Sequence, residues 1–239
     1  MNIVFYIANA MVLPPAMHFA WNFYRYKGGE IAFRQLWITI FLLTITVIVT
    51  SLQFIFPEII PALSRDRQAI LSGEYWRFMT SLLIQPIGLW QCIFNAVFFI
   101  SFVPVAEHLY GRAVLLIYFG ASLFGQVLIL NWESTPGGIG SSGGGTSTAL
   151  YAVMGSLLMY VFINRGQFPK GYVLIPVAGF LGAAILVFFE DGHAPSLLMG
   201  GFLGLLLSGY ARQIGPYPQL KVSDRNVSEA FDSSKRQRT

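Results

Sequence analysis

The chain has 239 residues, of which 55% are hydrophobic and only 11% charged, with a formal net charge of +4 and a mean hydropathy of +0.61. Soluble domains carry about 25% charged residues, so this composition excludes a soluble globular enzyme and leaves no room for a large soluble domain beside a membrane bundle. One cysteine, Cys92, and three histidines in unrelated contexts provide neither a disulfide framework nor a metal cluster, and no metal or organic cofactor is expected.

Residues 1–24 are apolar but lack the basic leader of a signal peptide, contain Pro14-Pro15, and have their Lys and Arg behind the apolar part. An interfacial segment or a helix packed on the bundle is expected there, with a seventh crossing as the alternative. Residues 36–56 form the first uncharged run long enough to cross a hydrocarbon layer of ~30 Å. A polar and amphipathic stretch, 57–85, follows with Arg65, Asp66, Arg67, Glu74 and Arg77. The second span covers about 90–105 and closes on Glu107, Gly111 and Arg112; the third, 113–130, leads into a glycine-rich loop over 136–145. The fourth span is 147–163, the fifth 172–189, and the sixth 195–210, before a hydrophilic tail. The chain therefore divides into an N-terminal segment (1–35), a six-helix membrane domain (36–211) and a flexible basic tail (212–239).

With six spans, Arg25, Lys27, Arg34, Arg112, Arg165, Lys170, Arg212, Lys221, Arg225, Lys235, Arg236 and Arg238 fall on one side, and Arg65, Arg67 and Arg77 on the other. Positive residues mark the cytoplasmic face, so both termini are expected in the cytoplasm. The basic surplus then faces the cytoplasm as the topological bias requires, which removes a nucleic-acid partner. Gly120 with Gly125, Gly179 with Gly182 and Ala183, and Gly200, Gly201 and Gly204 predict close helix packing.

Three features at the outer ends of the spans carry chemistry. Ser147 opens the fourth helix behind a glycine run, where unpaired N–H groups and the helix dipole suit an oxyanion, although a plain N-cap serine fits the position as well. Gln91 and Asn95 share one face of the second span; two amides in an apolar segment either bond a neighbouring helix or donate to a developing negative charge. His193 precedes the sixth span beside Asp191. It is either a loop histidine or a general base for a serine nucleophile.

Taken in order, these motifs resemble those of the rhomboid family of intramembrane serine proteases and their inactive relatives, over roughly residues 60–210. Gly73-Glu74-Tyr75-Trp76-Arg77 resembles the family's Trp-Arg loop, Gln91 to Asn95 its His-x-x-x-Asn motif, and Glu107 with Gly111 its Glu-x-x-x-Gly turn. Gly145-Thr146-Ser147-Thr148 falls on its Gly-x-Ser-Gly motif, with Tyr151 at the tyrosine that packs on the catalytic histidine. The resemblance implies an all-α, six-transmembrane-helix bundle, and a Ser147–His193 dyad with no carboxylate required. Asn95, Gln91 and backbone N–H groups would serve as oxyanion donors, and the substrate would be a transmembrane protein entering laterally from the bilayer. Three positions depart from the pattern: Gln91 replaces histidine, Thr148 replaces glycine, and the histidine register is open. Aligned on His193, the family's His-x-x-Gly-x-x-x-Gly places Ser196 and Gly200 at the small positions; aligned on Gly201, it places Leu198 where the base should be. The second register implies a catalytically inactive relative that binds membrane clients or serves as a subunit of a larger membrane complex. A transporter is disfavoured because the spans hold no internal Asp or Glu to couple an ion. Nothing resembles a transit peptide, so a bacterial plasma membrane is the expected location.

Overall fold

The computed structural model describes residues 3–28, 31, 36–130 and 142–214. Most of the expected glycine-rich loop and nearly all of the expected tail lie outside the described residues. The chain opens with α1 (Ile3–Lys27) and α2 (Trp37–Ile55). Three short helices follow, α3 (Ile59–Leu63), α4 (Arg67–Leu71) and α5 (Arg77–Thr80). Between them β1 (Arg65–Asp66) pairs antiparallel with β2 (Ser142–Gly143), Arg65 opposite Gly143. Next come α6 (Leu89–Tyr110), a π-helical segment Leu116–Ala121 running into α7 (Ser122–Leu130), α8 (Ser147–Ile163), α9 (Leu174–Phe188) and α10 (Ala194–Leu206). The fold is all-α and membrane-type: α1, α2, α6 with its following turn, and α9 with its preceding turn are each long and apolar enough to cross a bilayer, while the apolar helices around α7, α8 and α10 are shorter.

For residues 1–24 the expectation is an interfacial segment or a packed helix, with a seventh crossing as the alternative; the structure shows a packed helix, long and apolar enough to cross. Pro14 and Pro15 do not end it, and 25 residues at about 1.5 Å each are enough for a crossing. Ala8, Val12, Ala16, Phe19, Ala20 and Phe23 recur three or four residues apart and are buried, which is the stripe a helix needs to dock on a neighbour. That neighbour is α9. A Cβ on Gly182 would lie 2.7 Å from the Ala8 carbonyl oxygen, so only glycine permits the approach. Phe5 meets Phe189 with ring centroids 6.2 Å apart, and His18 meets Tyr172 at 5.8 Å. The two helices therefore run antiparallel along their full height.

Helix α8 is the axis of the bundle, with 13 of its 17 residues buried. Small residues set its contact with α10: a Cβ on Gly155 would collide with the Leu197 carbonyl, one on Gly200 with the Ala152 carbonyl, and one on Gly204 would sit 2.9 Å from Ser156 Cα. Gly200 and Gly204, spaced i, i+4, thus lie on α8, where the backbones approach as close packing in lipid favours, while Ser196 lies against Gly125 of α7.

Two motif residues hold the frame. Glu107, buried near the end of α6, accepts from Ile38 N–H (2.9 Å), Thr39 N–H (2.7 Å) and the Thr39 hydroxyl (2.6 Å). A carboxylate suits the unpaired donors at the start of α2 and the positive end of its dipole. Gly111 then ends α6 at φ +54°, the left-handed region that glycine enters most easily. Arg77 staples the segment before α6, meeting Glu74 at 2.6 Å and donating from Nη1 to the carbonyls of Pro61 (2.8 Å) and Ser64 (2.9 Å). Trp76 beside it is exposed.

Candidate active site

Three described glycines deliver the chain into α8. Gly145 stands at φ +136°, and a Cβ there would strike Gln91 Nε2; a Cβ on Gly144 would lie 2.8 Å from the Ser81 carbonyl. The Gly145 N–H donates to that same carbonyl at 2.7 Å, and Thr146 Oγ1 donates to Leu82 O at 2.9 Å while accepting from Gln85 Nε2 at 2.8 Å. Ser147 thus begins α8 on a turn pinned from below, with the unpaired N–H groups of the first helical turn around it.

The other half of the site comes from the turn between α9 and α10. Glu190 adopts φ +54°, its N–H bonds Val187 O, and the Asp191 N–H bonds Leu186 O. This is a Schellman end with glutamate where glycine is usual. The turn sends Asp191 and His193 back over α8, and the close fit of α10 on α8 fixes their height. His193 Nε2 lies 2.9 Å from Ser147 Oγ. The Tyr151 ring, one turn below Ser147, packs on the imidazole with centroids 4.7 Å apart and planes inclined by 33°.

Asp191, which the sequence marks only as a neighbour of His193, supplies a third member. Its Oδ1 lies 3.1 Å from His193 Nδ1 and accepts the His193 N–H at 2.9 Å. Burial alone would raise this carboxyl, but the hydrogen bond and charge of His193, together with backbone N–H groups of His193 and Ala194, outweigh it and hold the carboxyl below its ordinary value. The folded-state pKa being depressed, the carboxylate's stabilising contribution is complete above the ordinary value and is lost as pH falls through the depressed one. An ionised Asp191 facing Nδ1 favours the tautomer with the proton there, leaving the Nε2 lone pair toward Ser147.

Ser147, His193, Tyr151 and Gln91 are brought together; Asn95 is not. Gln91 Nε2 donates to Gly144 O at 3.0 Å and its Oε1 accepts from Ile87 N–H at 2.9 Å, so it touches the loop that precedes Ser147. Asn95 Nδ2 instead donates to Gln85 Oε1 at 2.7 Å, inside a buried amide network that continues through Gln85 to Gln53 and Thr146. The expected pair of oxyanion amides is thus divided between the cavity and the support beneath it. Leu198 packs against the core, and His193 stands beside the serine. Thr148 joins the wall of a cavity of about 630 Å³, whose lining also includes Arg65, Gln91, Ser147 and His193. Trp76, Arg77, Glu107 and Gly111 serve the frame described above. Gln53, Gln85 and Gln126 are support residues that motif matching misses; Gln126 accepts from the Ser81 hydroxyl (2.8 Å) and donates to Phe78 O (2.7 Å), anchoring the segment that receives Gly145.

A serine hydroxyl at a helix N-terminus, an imidazole within hydrogen-bond distance of it and a ring packed on that imidazole form, in a membrane bundle, an arrangement suited to acyl transfer. None of the curated proteins matches the chain. A family model described as the Rhomboid domain matches residues 72–211. That range covers more than half of the chain and takes in Gln91, Ser147, Asp191 and His193, and on this match the chain belongs to the rhomboid family.

Proposed function

We propose that the protein is an intramembrane serine endopeptidase of the rhomboid type that cleaves transmembrane proteins near the outer face of the membrane. The observation that carries the reading is the 2.9 Å approach of His193 Nε2 to Ser147 Oγ. Ser147 Oγ attacks the scissile carbonyl as Nε2 takes its proton. The tetrahedral oxyanion is met by first-turn N–H groups of α8 and by the second Nε2–H of Gln91, whose first is engaged by Gly144. One such donor is typically worth ~3 kcal/mol in the transition state. The imidazolium then protonates the departing amine, and water, activated by the same Nε2, releases the acyl group and restores Ser147. Asp191 positions the imidazole. The substrate segment reaches this cavity laterally from the bilayer.

A bacterial plasma membrane suits the reading, with the basic ends Arg112, Arg165, Lys170 and Arg212 in the cytoplasm. With α1 crossing antiparallel to α9, Arg25 and Lys27 stay on the cytoplasmic side and the N-terminus moves to the outer face. The competing reading, an inactive relative that holds membrane clients or assembles in a larger complex, draws on the diversion of Asn95 to Gln85. A fluorophosphonate probe separates the two, because attack at phosphorus needs the same proton removal and oxyanion support. The wild type should label at Ser147, with labelling abolished in Ser147→Ala, strongly reduced in His193→Ala and partly reduced in Gln91→Ala. Equal labelling of wild type and Ser147→Ala, where a known rhomboid labels well, would sink the protease reading in favour of the client-binding one.

A further inference from the structure

Among the described residues, the acidic groups near the cavity are already engaged. Glu74 pairs with Arg77, Asp191 with His193, and Asp66 Oδ1 accepts the Ala69 N–H at 2.8 Å to cap α4. The cations divide differently. Arg77 spends its fork on Glu74 and two carbonyls, and Arg67 Nε donates to Leu130 O. Arg65 lines the cavity with Ser147 and His193, is only 5% exposed, and its Nε has no hydrogen-bond partner. Burial pulls the guanidinium down to about 10, so it remains charged at neutral pH.

A buried cation without a partner is unfavourable, and it is tolerated where a partner arrives with the ligand. Arg65 sits in β1, opposite Gly143 on the strand that leads to Ser147. A polypeptide attacked by Ser147 must lay the residues beside its scissile bond in this cavity. We propose that Arg65 forms an anionic subsite that selects an Asp or Glu side chain of the substrate within a few residues of the cleaved bond. The planar guanidinium fork matches a carboxylate, and a charge-assisted bond in a cavity partly screened from water discriminates more strongly than one on an open surface. The inference rests on the protease reading for the meaning of the cleaved bond, but the binding it describes does not require cleavage.

The test scans Glu, Gln and Lys through the positions flanking the cleavage site of a model transmembrane substrate, measuring kcat/KM in phosphatidylcholine proteoliposomes. At one position Glu should exceed Gln by about tenfold, or about 1.4 kcal/mol, with Lys below Gln; Arg65→Gln should bring the Glu/Gln ratio near one. A flat order in the wild type, or a ratio that survives Arg65→Gln, overturns the proposal. The wild-type order needs no variant, so misfolding of Arg65→Gln leaves it decisive. A second arm measures binding of the Glu and Gln segments to the Ser147→Ala protein by fluorescence anisotropy. Should no substrate be cleaved and Ser147 fail to label, the protease reading falls, and this arm still decides the subsite: tighter Glu binding supports it and equal binding overturns it. Equal Glu and Gln behaviour, together with thermal stabilisation by phosphatidylglycerol that Arg65→Gln removes, assigns the cation to a lipid phosphate and likewise overturns the proposal.

Discussion

Asp191→Asn is the most discriminating substitution in the site, because it preserves shape and changes only what the carboxylate does to the imidazole. The asparagine Oδ1 can still accept the His193 N–H that Asp191 now accepts at 2.9 Å, so the turn into α10 keeps its bond. At Nδ1 the change is larger: the charge is gone, and an amide N–H facing the ring would favour the proton on Nε2, the tautomer that cannot act as base toward Ser147. A hydrogen bond to a charged group contributes ~1.5–3 kcal/mol. With side chains 31% and 13% exposed, solvent screening places this one toward the lower end. That corresponds to a loss of roughly 10–30-fold in kcat, with KM little changed because Asp191 faces the imidazole and away from the substrate. The assay is turnover of a fluorogenic transmembrane substrate in proteoliposomes, paired with fluorophosphonate labelling rate and thermal unfolding. Slower labelling at an unchanged Tm is the expected result. A variant that labels and turns over at the wild-type rate would reduce Asp191 to a cap for the turn and leave the base as a two-residue dyad.

Two further outcomes test the frame. A reporter fused ahead of Ile3 should read the outer face and one within residues 164–170 the cytoplasm, whereas a cytoplasmic reading at both would mean that α1 does not cross. Gly200→Ala drives a methyl group into the Ala152 carbonyl, so overpacking should cost ~1–3 kcal/mol, seen as a fall of about 2–4 °C in Tm for each kcal/mol and as weakened labelling of Ser147; an unchanged Tm would show that α8 and α10 are not held by backbone contact.

The ends of two helices were legible in the apolar runs: the fourth span, expected over 147–163, is α8 residue for residue, and the first, expected over 36–56, is α2 to within one residue at each end; the second, expected to close near 105, runs on as α6 to Tyr110, and the sixth, expected to 210, ends as α10 at Leu206. The third was legible as a span but not as a mixed helix, since the π-helical turns at Leu116–Ala121 leave no mark on apolar periodicity. Gly200 and Gly201 offer two histidine frames, and spacing favours the His193 register only through the small residues it keeps at 196 and 200; the 2.9 Å approach of His193 Nε2 to Ser147 Oγ belongs to the packing of two helices and cannot be read from spacing. Asp191 was visible as a neighbour of His193 but not as its partner, since the Schellman turn through Glu190, where glycine would have been the signal, is what folds the carboxylate onto Nδ1.

The division of Gln91 and Asn95 follows from what each amide finds at its own height. An amide in an apolar span must bond something, and the same signal was present in Gln53 of the first span and Gln126 of the third. Gln53 exchanges two bonds with the Gln85 backbone, at 2.9 and 2.8 Å, Gln85 hands one to Thr146 and receives one from Asn95, and Gln126 holds Phe78 and Ser81. Three spans thereby grip the segment 78–85, which in turn fixes Gly145 and Thr146 ahead of Ser147. Buried polar networks are favourable when every member is satisfied and costly when one is lost, so this arrangement ties the position of Ser147 to bonds made from three helices at once. Asn95, one turn below Gln91, belongs to that foundation. Gln91, level with the loop, meets the cavity. The two amides of the motif therefore divide by depth: Gln91, level with the loop, lines the cavity, and Asn95, one turn lower, supports the segment that holds Ser147.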